Sequence, residues 1–412
     1  MSISRRKFLA GTAAAAVVAS TTSVPRLWAA ANHRSAHFND QRILVVIQLS
    51  GGNDGLNTVM PYADDVYHRN RFATRIAADR VIKIDDYVGF HPALGGFGEM
   101  VRENRLAVIP GVGYPNPNRS HFESMDIWHS AHFTPPHRTG WLGRWIDEQA
   151  AKDRQTNEVN ATAQALRALH IGDEPLPLAL TGLNALVPSL KTIDSLRVAS
   201  DELVQAALKM ESVGAAPADL LDFLQGARST ALTAADRLKS IDVRQLQRTG
   251  DYDQSGLSRK LAAVAQLIKI GFGPRVYYVE LAGFDTHSQQ PDAHAALLGE
   301  LGRAVRAFHR DLDGTAQAEN VLTFCFSEFG RRVKENGSRG TDHGTAAPVM
   351  IVGPKELPKM SGKYPSLTDL DDGDLKFTVD FRSVYSTILQ KWLGVDSASI
   401  LGDKHPMLDF LG

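Results

Sequence analysis

The run Arg42-Ile43-Leu44-Val45-Val46-Ile47-Gln48-Leu49 and the turn that follows it, Ser50-Gly51-Gly52-Asn53-Asp54-Gly55, decide the fold class of this chain. The first part is β-rich and apolar on both alternating faces, as in a strand covered on both sides. The second is a cluster of turn residues that ends the strand abruptly and leaves an acid at its carboxyl end. Two later runs repeat the pattern. Val276 to Leu281 ends at Gly283-Phe284-Asp285-Thr286-His287, and Val321 to Phe326 ends at Ser327-Glu328-Phe329-Gly330. Leu106 to Pro110 and Val349 to Val352 add short strands, with Leu166 to Ile171 and Leu176 to Leu180 as weaker ones. Helical periodicity fills the gaps near Ala293 to Leu312 and from Phe381 to Leu393, where Gly394 stops it. Strands alternating with helices predict an α/β fold, a mainly parallel central sheet flanked by helices. Leucine and alanine spacing from about 194 to 269 predicts a helical insertion within it.

Outward from this frame, the amino terminus carries a different signal. Ser4-Arg5-Arg6-Lys7-Phe8-Leu9 precedes an alanine-rich apolar run from Leu9 to Ala19, and Ala29-Ala30-Ala31 closes the segment. A charged start, a short apolar stretch and a small-residue cleavage site read as a signal peptide over 1–31, and the paired arginines mark the twin-arginine route. The apolar run is shorter than the ~20 residues a spanning helix needs, so cleavage is expected rather than anchoring. The expected partner during export is the twin-arginine translocase, and the expected location is periplasmic or secreted. Residues 32–412 then form the folded domain.

Composition narrows the chemistry. Hydrophobic residues make up 43% and charged ones 22%, enough for a substantial core. A formal net charge of −1 argues against a nucleic-acid or anionic-membrane surface. Cys325 is the only cysteine, which excludes an internal disulfide and any cysteine-built zinc or iron–sulfur site. A metal would have to be held by His, Asp, Glu or other oxygen donors.

Such donors gather at the strand ends. Asp54, Asp285 with His287, and Glu328 follow strands; Asp342 and His343, in Gly340-Thr341-Asp342-His343-Gly344, precede one. Sites in open α/β sheets form at the carboxyl ends of strands. Converging acids and imidazoles there would suit a divalent cation able to polarise a phosphoryl or sulfuryl oxygen. Each residue also has an ordinary reading: Asp54 as turn chemistry, Asp285 as a cap, Glu328 as a partner of Arg331 or Arg332, Asp342 as a turn cap. A further segment, Asn118-Arg119-Ser120-His121-Phe122, follows a Pro/Gly/Asn-rich loop. Ser120 fits a nucleophile that shares a metal, with Arg119 steadying an anionic group, or the start of a capping box with Glu123. His129, His132 and His137 around Pro135-Pro136 read more simply as loop or structural histidines, and His91 as a buried one. Trp128, Trp141 and Trp145 read as core.

Together, these motifs resemble exported bacterial proteins of the DUF1501 type, over essentially the whole chain beyond the signal segment. That family resembles a distant branch of the alkaline phosphatase and sulfatase superfamily. The resemblance implies an alkaline-phosphatase-like sandwich binding one or two divalent metals (zinc, calcium, magnesium or manganese) and hydrolysing small anionic phosphate or sulfate esters. It implies Ser120 as catalytic nucleophile with Arg119, and Asp54, Asp285, His287, Glu328, Asp342 and His343 as metal ligands. Phe329 stands where a superfamily histidine is expected. The alternative is a non-catalytic exported binding protein with a degraded site.

Overall fold

The computed structural model describes residues 42–155, 166–184, 187–191, 250–354 and 356–411. The signal segment and most of the expected helical insertion lie outside the described residues. No helix among those described is long and apolar enough to cross a membrane.

An eight-stranded sheet organises the chain. Its strands are β1 (Ile43–Ser50), β2 (Leu106–Gly113), β3 (Ala168–Ile171), β4 (Ser189–Leu190), β5 (Val276–Ala282), β6 (Val321–Phe326), β7 (Ala347–Val352) and β8 (Val379–Asp380). In space the order is β8-β2-β7-β6-β1-β5-β3-β4. β1 is central, parallel to β5 with Ser50 opposite Ala282 and to β6 with Gln48 opposite Phe326. All neighbours run parallel except β7, which is antiparallel to both β2 and β6. The expected α/β class with a mainly parallel sheet is therefore what the chain forms. The weaker strand expected over Leu176 to Leu180 is absent; Leu178–Leu180 is a turn of 3-10 helix. Prolines at 175 and 177 remove backbone donors that a ladder needs.

Alternation along β1 explains the layers. Val45, Ile47 and Leu49 join one buried cluster, Leu44 and Val46 another. The first is covered by helices α1 (Gly95–Arg102), α4 (Gly256–Lys269) and α5 (Gln290–Leu312). The second lies under α2 (His121–Ser130), α3 (Trp141–Gln155) and α6 (Phe381–Thr387), the last continuing through a π-helical turn to Trp392. A further short helix, Ser397–Leu401, follows. Trp128 stacks on Phe326 and Phe381, and Trp141 on Tyr385, confirming them as core. Each fully buried large apolar side chain contributes roughly 1.5–3 kcal/mol, which fixes the sheet as a rigid platform.

The antiparallel β7 matters for the site. Its beginning, not its end, lies beside the carboxyl ends of the parallel strands. The 340–344 turn therefore reaches the same edge of the sheet as the turns after β1, β5 and β6.

Candidate metal centre

The turns after β1, β5 and β6 are tied to one another by backbone-level contacts. Phe284 donates its N–H to the Ser50 carbonyl at 3.1 Å, and the Ser327 hydroxyl donates to the Leu49 carbonyl at 2.7 Å. Gly51 permits this approach: its φ is +116°, and a Cβ there would lie 2.4 Å from the Asp285 nitrogen. Buried Arg331 fastens the assembly. Its guanidinium donates to the carbonyls of Gly51, Gly52, Phe284 and Thr341 and to Asp285 Oδ1 at 2.8 Å.

Three ligand atoms, one each from His121, Asp285 and His343, lie within 4.8 Å of one another. His343 Nε2 is 3.1 Å and His121 Nε2 3.5 Å from Asp285 Oδ1. His287 stands beside them, its Nε2 3.0 Å from Asp285 Oδ1 and 2.9 Å from His343 Nε2. The other ring nitrogen of each imidazole faces an acceptor. His121 Nδ1 donates to Glu328 Oε1 at 2.8 Å, and His343 Nδ1 to the Arg119 carbonyl at 2.8 Å. His287 Nδ1 faces Asp342 Oδ1 at 3.4 Å. Acceptors behind Nδ1 assign the proton there and turn the Nε2 lone pairs toward the common centre, the arrangement of a metal-ligating histidine with its outer hydrogen bond. His121 Nε2 is buried and has no hydrogen-bond partner. Lone pairs and a carboxylate oxygen gathered at 2.9–3.5 Å repel one another, and a cation removes that cost.

Neighbouring groups shift the titration of the site. The Glu328 hydrogen bond raises the pKa of His121 against the opposing effect of burial. Burial works to raise that of Asp285, but the hydrogen bond and charge of the Arg331 guanidinium outweigh it and hold the carboxyl at about 2. The hydrogen bond from Asn336 leads in lowering that of Asp342.

Asp285, His287 and His343 meet, as expected. Five other expected residues take different places. Asp54 is fully buried and stays outside the group: Arg71 grips both its carboxylate oxygens, at 2.5 and 3.0 Å, and Gln290 donates to one of them. Arg71 supplies the charge a metal would, so Asp54 has no free ligand position. Glu328 and Asp342 face the Nδ1 side of the histidines and serve as their supports. The Arg119 side chain leaves the site for Asp372 and Asp374; its backbone carbonyl is what the site uses. Ser120 is exposed at the start of α2 and its side chain makes no capping bond, so the expected capping box is not formed.

Two residues were missed from sequence. His121, in the first turn of α2, occupies the place expected of its neighbour Ser120; a histidine just past a strand-end loop was the available signal. Arg331 carried none beyond its nearness to Glu328. Phe329 is buried and packs against the rings of His121 and His343, each at 4.9 Å, walling the centre rather than joining it. His129 is not a loop histidine: it is buried in α2 and hydrogen-bonds Gln48 at 2.8 Å. His91 is buried as expected. A cleft of about 490 Å³ opens beside the centre, with His121, Asp285 and Glu328 on its wall.

Among solved structures, similar ones include Ps i-CgsB in complex with k-i-k-neocarrahexaose, with TM-score 0.33 and 12% identity over 88% of this chain and 72% of that one. Another structure of Ps i-CgsB gives 0.32 and 11% over the same shares. The PH0037 protein from Pyrococcus horikoshii gives 0.21 and 12% over 76% and 87%. No curated protein matches the chain. Residues 41–355 match the family described as "Protein of unknown function (DUF1501)", and the chain belongs to that family.

Proposed function

We propose that this protein is a metal-dependent hydrolase of phosphate or sulfate esters that works outside the cytoplasm after twin-arginine export. The observation that carries the metal reading is the buried, unpartnered Nε2 of His121 aimed at Asp285 beside two more imidazoles. His121, Asp285 and His343 would hold the ion, with His287 adjacent. A nitrogen-rich donor set suits zinc, whereas calcium and magnesium favour all-oxygen sites. When bound, the ion supplies Lewis acidity toward an ester oxygen.

The chain's own groups do the rest. Glu328, Asp342 and the Arg119 carbonyl hold the three rings in one tautomer. Arg331 keeps Asp285 ionised, and Phe329 excludes water from one side. Ser120 directly precedes His121, and its hydroxyl is uncommitted to the helix cap. It is the proposed nucleophile.

Metal analysis of the purified protein tests the reading. Bound divalent metal is expected, lost in His121→Ala and kept in Ser120→Ala, while Ser120→Ala loses ester hydrolysis. Absence of metal after equilibration with zinc or manganese sinks the proposal. Metal without turnover of any ester selects the second reading, a binding protein, which the Arg331 contact to Asp285 favours. Export rests on Arg5 and Arg6; their replacement by lysine should keep the precursor in the cytoplasm, and an undiminished periplasmic fraction would reject that part.

A further inference from the structure

One acid is linked to the metal centre without facing it. Asp374 sits in the hairpin formed by Leu370–Asp371 and Asp374–Leu375, and its side chain is 1% exposed. Each of its oxygens meets a guanidinium: Oδ2 accepts from Arg119 Nη2, and Oδ1 from Arg332 Nε at 3.2 Å. A carboxylate is costly to bury unless it is paired, so these contacts fix where the two arginine side chains lie. The hairpin is in turn fixed to the segment that carries His343, since the Thr345 hydroxyl donates to the Leu375 carbonyl.

The main chains of the same two arginines flank His343. The Arg119 carbonyl accepts the Nδ1–H of His343 at 2.8 Å. The Arg332 N–H donates to the carbonyl of Asp342, the residue before His343, at 3.0 Å. One buried carboxylate thus grips, through side chains, the two segments whose backbone groups set the His343 ring. The turn of the hairpin brings a second acid to the same arginines. Asp372 Oδ2 lies 3.3 Å from each, but its side chain is 77% exposed, where an ion pair contributes little.

We propose that Asp374 is a positioning residue of the metal centre: by tethering Arg119 and Arg332 it holds the Arg119 carbonyl behind His343 and keeps the His343 Nε2 lone pair turned toward Asp285. The consequence for metal rests on the proposed metal reading; the consequence for the tautomer of the ring does not. An acceptor fixed behind Nδ1 assigns the proton to that atom. Without the tether the carbonyl shifts and the ring samples its other tautomer. If Asp374 only anchored the hairpin, its loss would lower stability and leave the ring as it is.

Asp374→Asn keeps the size of the side chain and removes its charge. Arg119→Gln releases one side of the tether and leaves Asp374 paired with Arg332, so it carries the test if Asp374→Asn does not fold. Chelator competition on folded protein should show zinc binding weakened about tenfold in each. Asp372→Asn, on the same hairpin, should stay within about twofold of the parent. Proton–nitrogen correlation spectra of the metal-free imidazoles, taken at about pH 8, above the usual imidazole range, give the second readout. His343 should carry its proton on Nδ1 in the parent and in Asp372→Asn, and show a mixture of tautomers in Asp374→Asn and Arg119→Gln. An unchanged tautomer in the folded variants overturns the proposal, as does undiminished zinc affinity or an equal loss in Asp372→Asn. A parent that binds no zinc sinks the metal reading, and the tautomer alone then decides the tether. Zinc binding that no variant alters sinks the tether and spares the metal reading.

Discussion

Asp54 and Asp285 sit in turns that look alike in sequence, each a glycine-containing cluster at the end of a strand, on the neighbouring strands β1 and β5. Their fates differ completely. Asp54 is sealed from solvent, with a guanidinium across both oxygens. The Asp285 side chain is about half exposed and faces three imidazoles. The first carboxylate is spent on holding the chain together, since Arg71 also donates to the carbonyls of Arg332 and Val333. The second is held ionised by Arg331 and left open to a ligand. What separates the two acids here is whether the positive partner covers the carboxylate or only steadies it.

The largest effect that would break this comparison lies at the sealed pair. Arg71→Ala strands a buried carboxylate and should cost about 3–5 kcal/mol, read by chemical denaturation, while metal content per folded molecule stays unchanged. Loss of metal with little loss of stability would put Asp54 back among the ligands. At the open site the order reverses. Glu328→Gln removes the charged acceptor behind His121 and should weaken metal binding by about 10–100-fold, measured by chelator competition, with a smaller change in melting temperature. Unchanged metal affinity would mean that Glu328 does not orient the ring.

The smallest effect sharpens the contrast between sealed and open imidazoles. Burial lowers the pKa of His309 to about 3 and that of His294 to about 4. Both are neutral above pH 6.5, folded or unfolded. Below it the unfolded chain takes up protons that the folded chain refuses, so stability falls as pH drops from 6.5 toward 4. Each such imidazole contributes up to about 1.4 kcal/mol per pH unit. His309→Gln should flatten the slope by about that amount, followed by denaturation at several pH values. A slope identical to the parent's would show that His309 is not protonated differently in the two states.

Much of the fold was legible because buried strands leave long apolar runs, and those at 43–50, 276–282 and 321–326 are the ones that lie side by side. Leu176 to Leu180 misled because apolarity alone does not make a strand when prolines remove its donors. The donor types and the three members Asp285, His287 and His343 were also readable. The pairing of Asp54 with Arg71 was not, because a charge partner seventeen residues away is brought in by tertiary folding alone. His121 escaped for a related reason. Its role depends on Glu328 standing behind it, and no local pattern records that.

The reversed strand β7 has a consequence for how the molecule matures. His343 arrives at the edge of the sheet only once β7 has inserted between β2 and β6, whose own partners come from distant parts of the sequence. The pairing with β2 closes a long loop, which costs more chain entropy than the short one to β6. The four imidazole and carboxylate residues come from segments far apart in the sequence, so a partly assembled chain does not hold them together. An ion held there by the native state alone would act as a latch on the finished sheet, worth about 4 kcal/mol at a thousandfold excess over its dissociation constant.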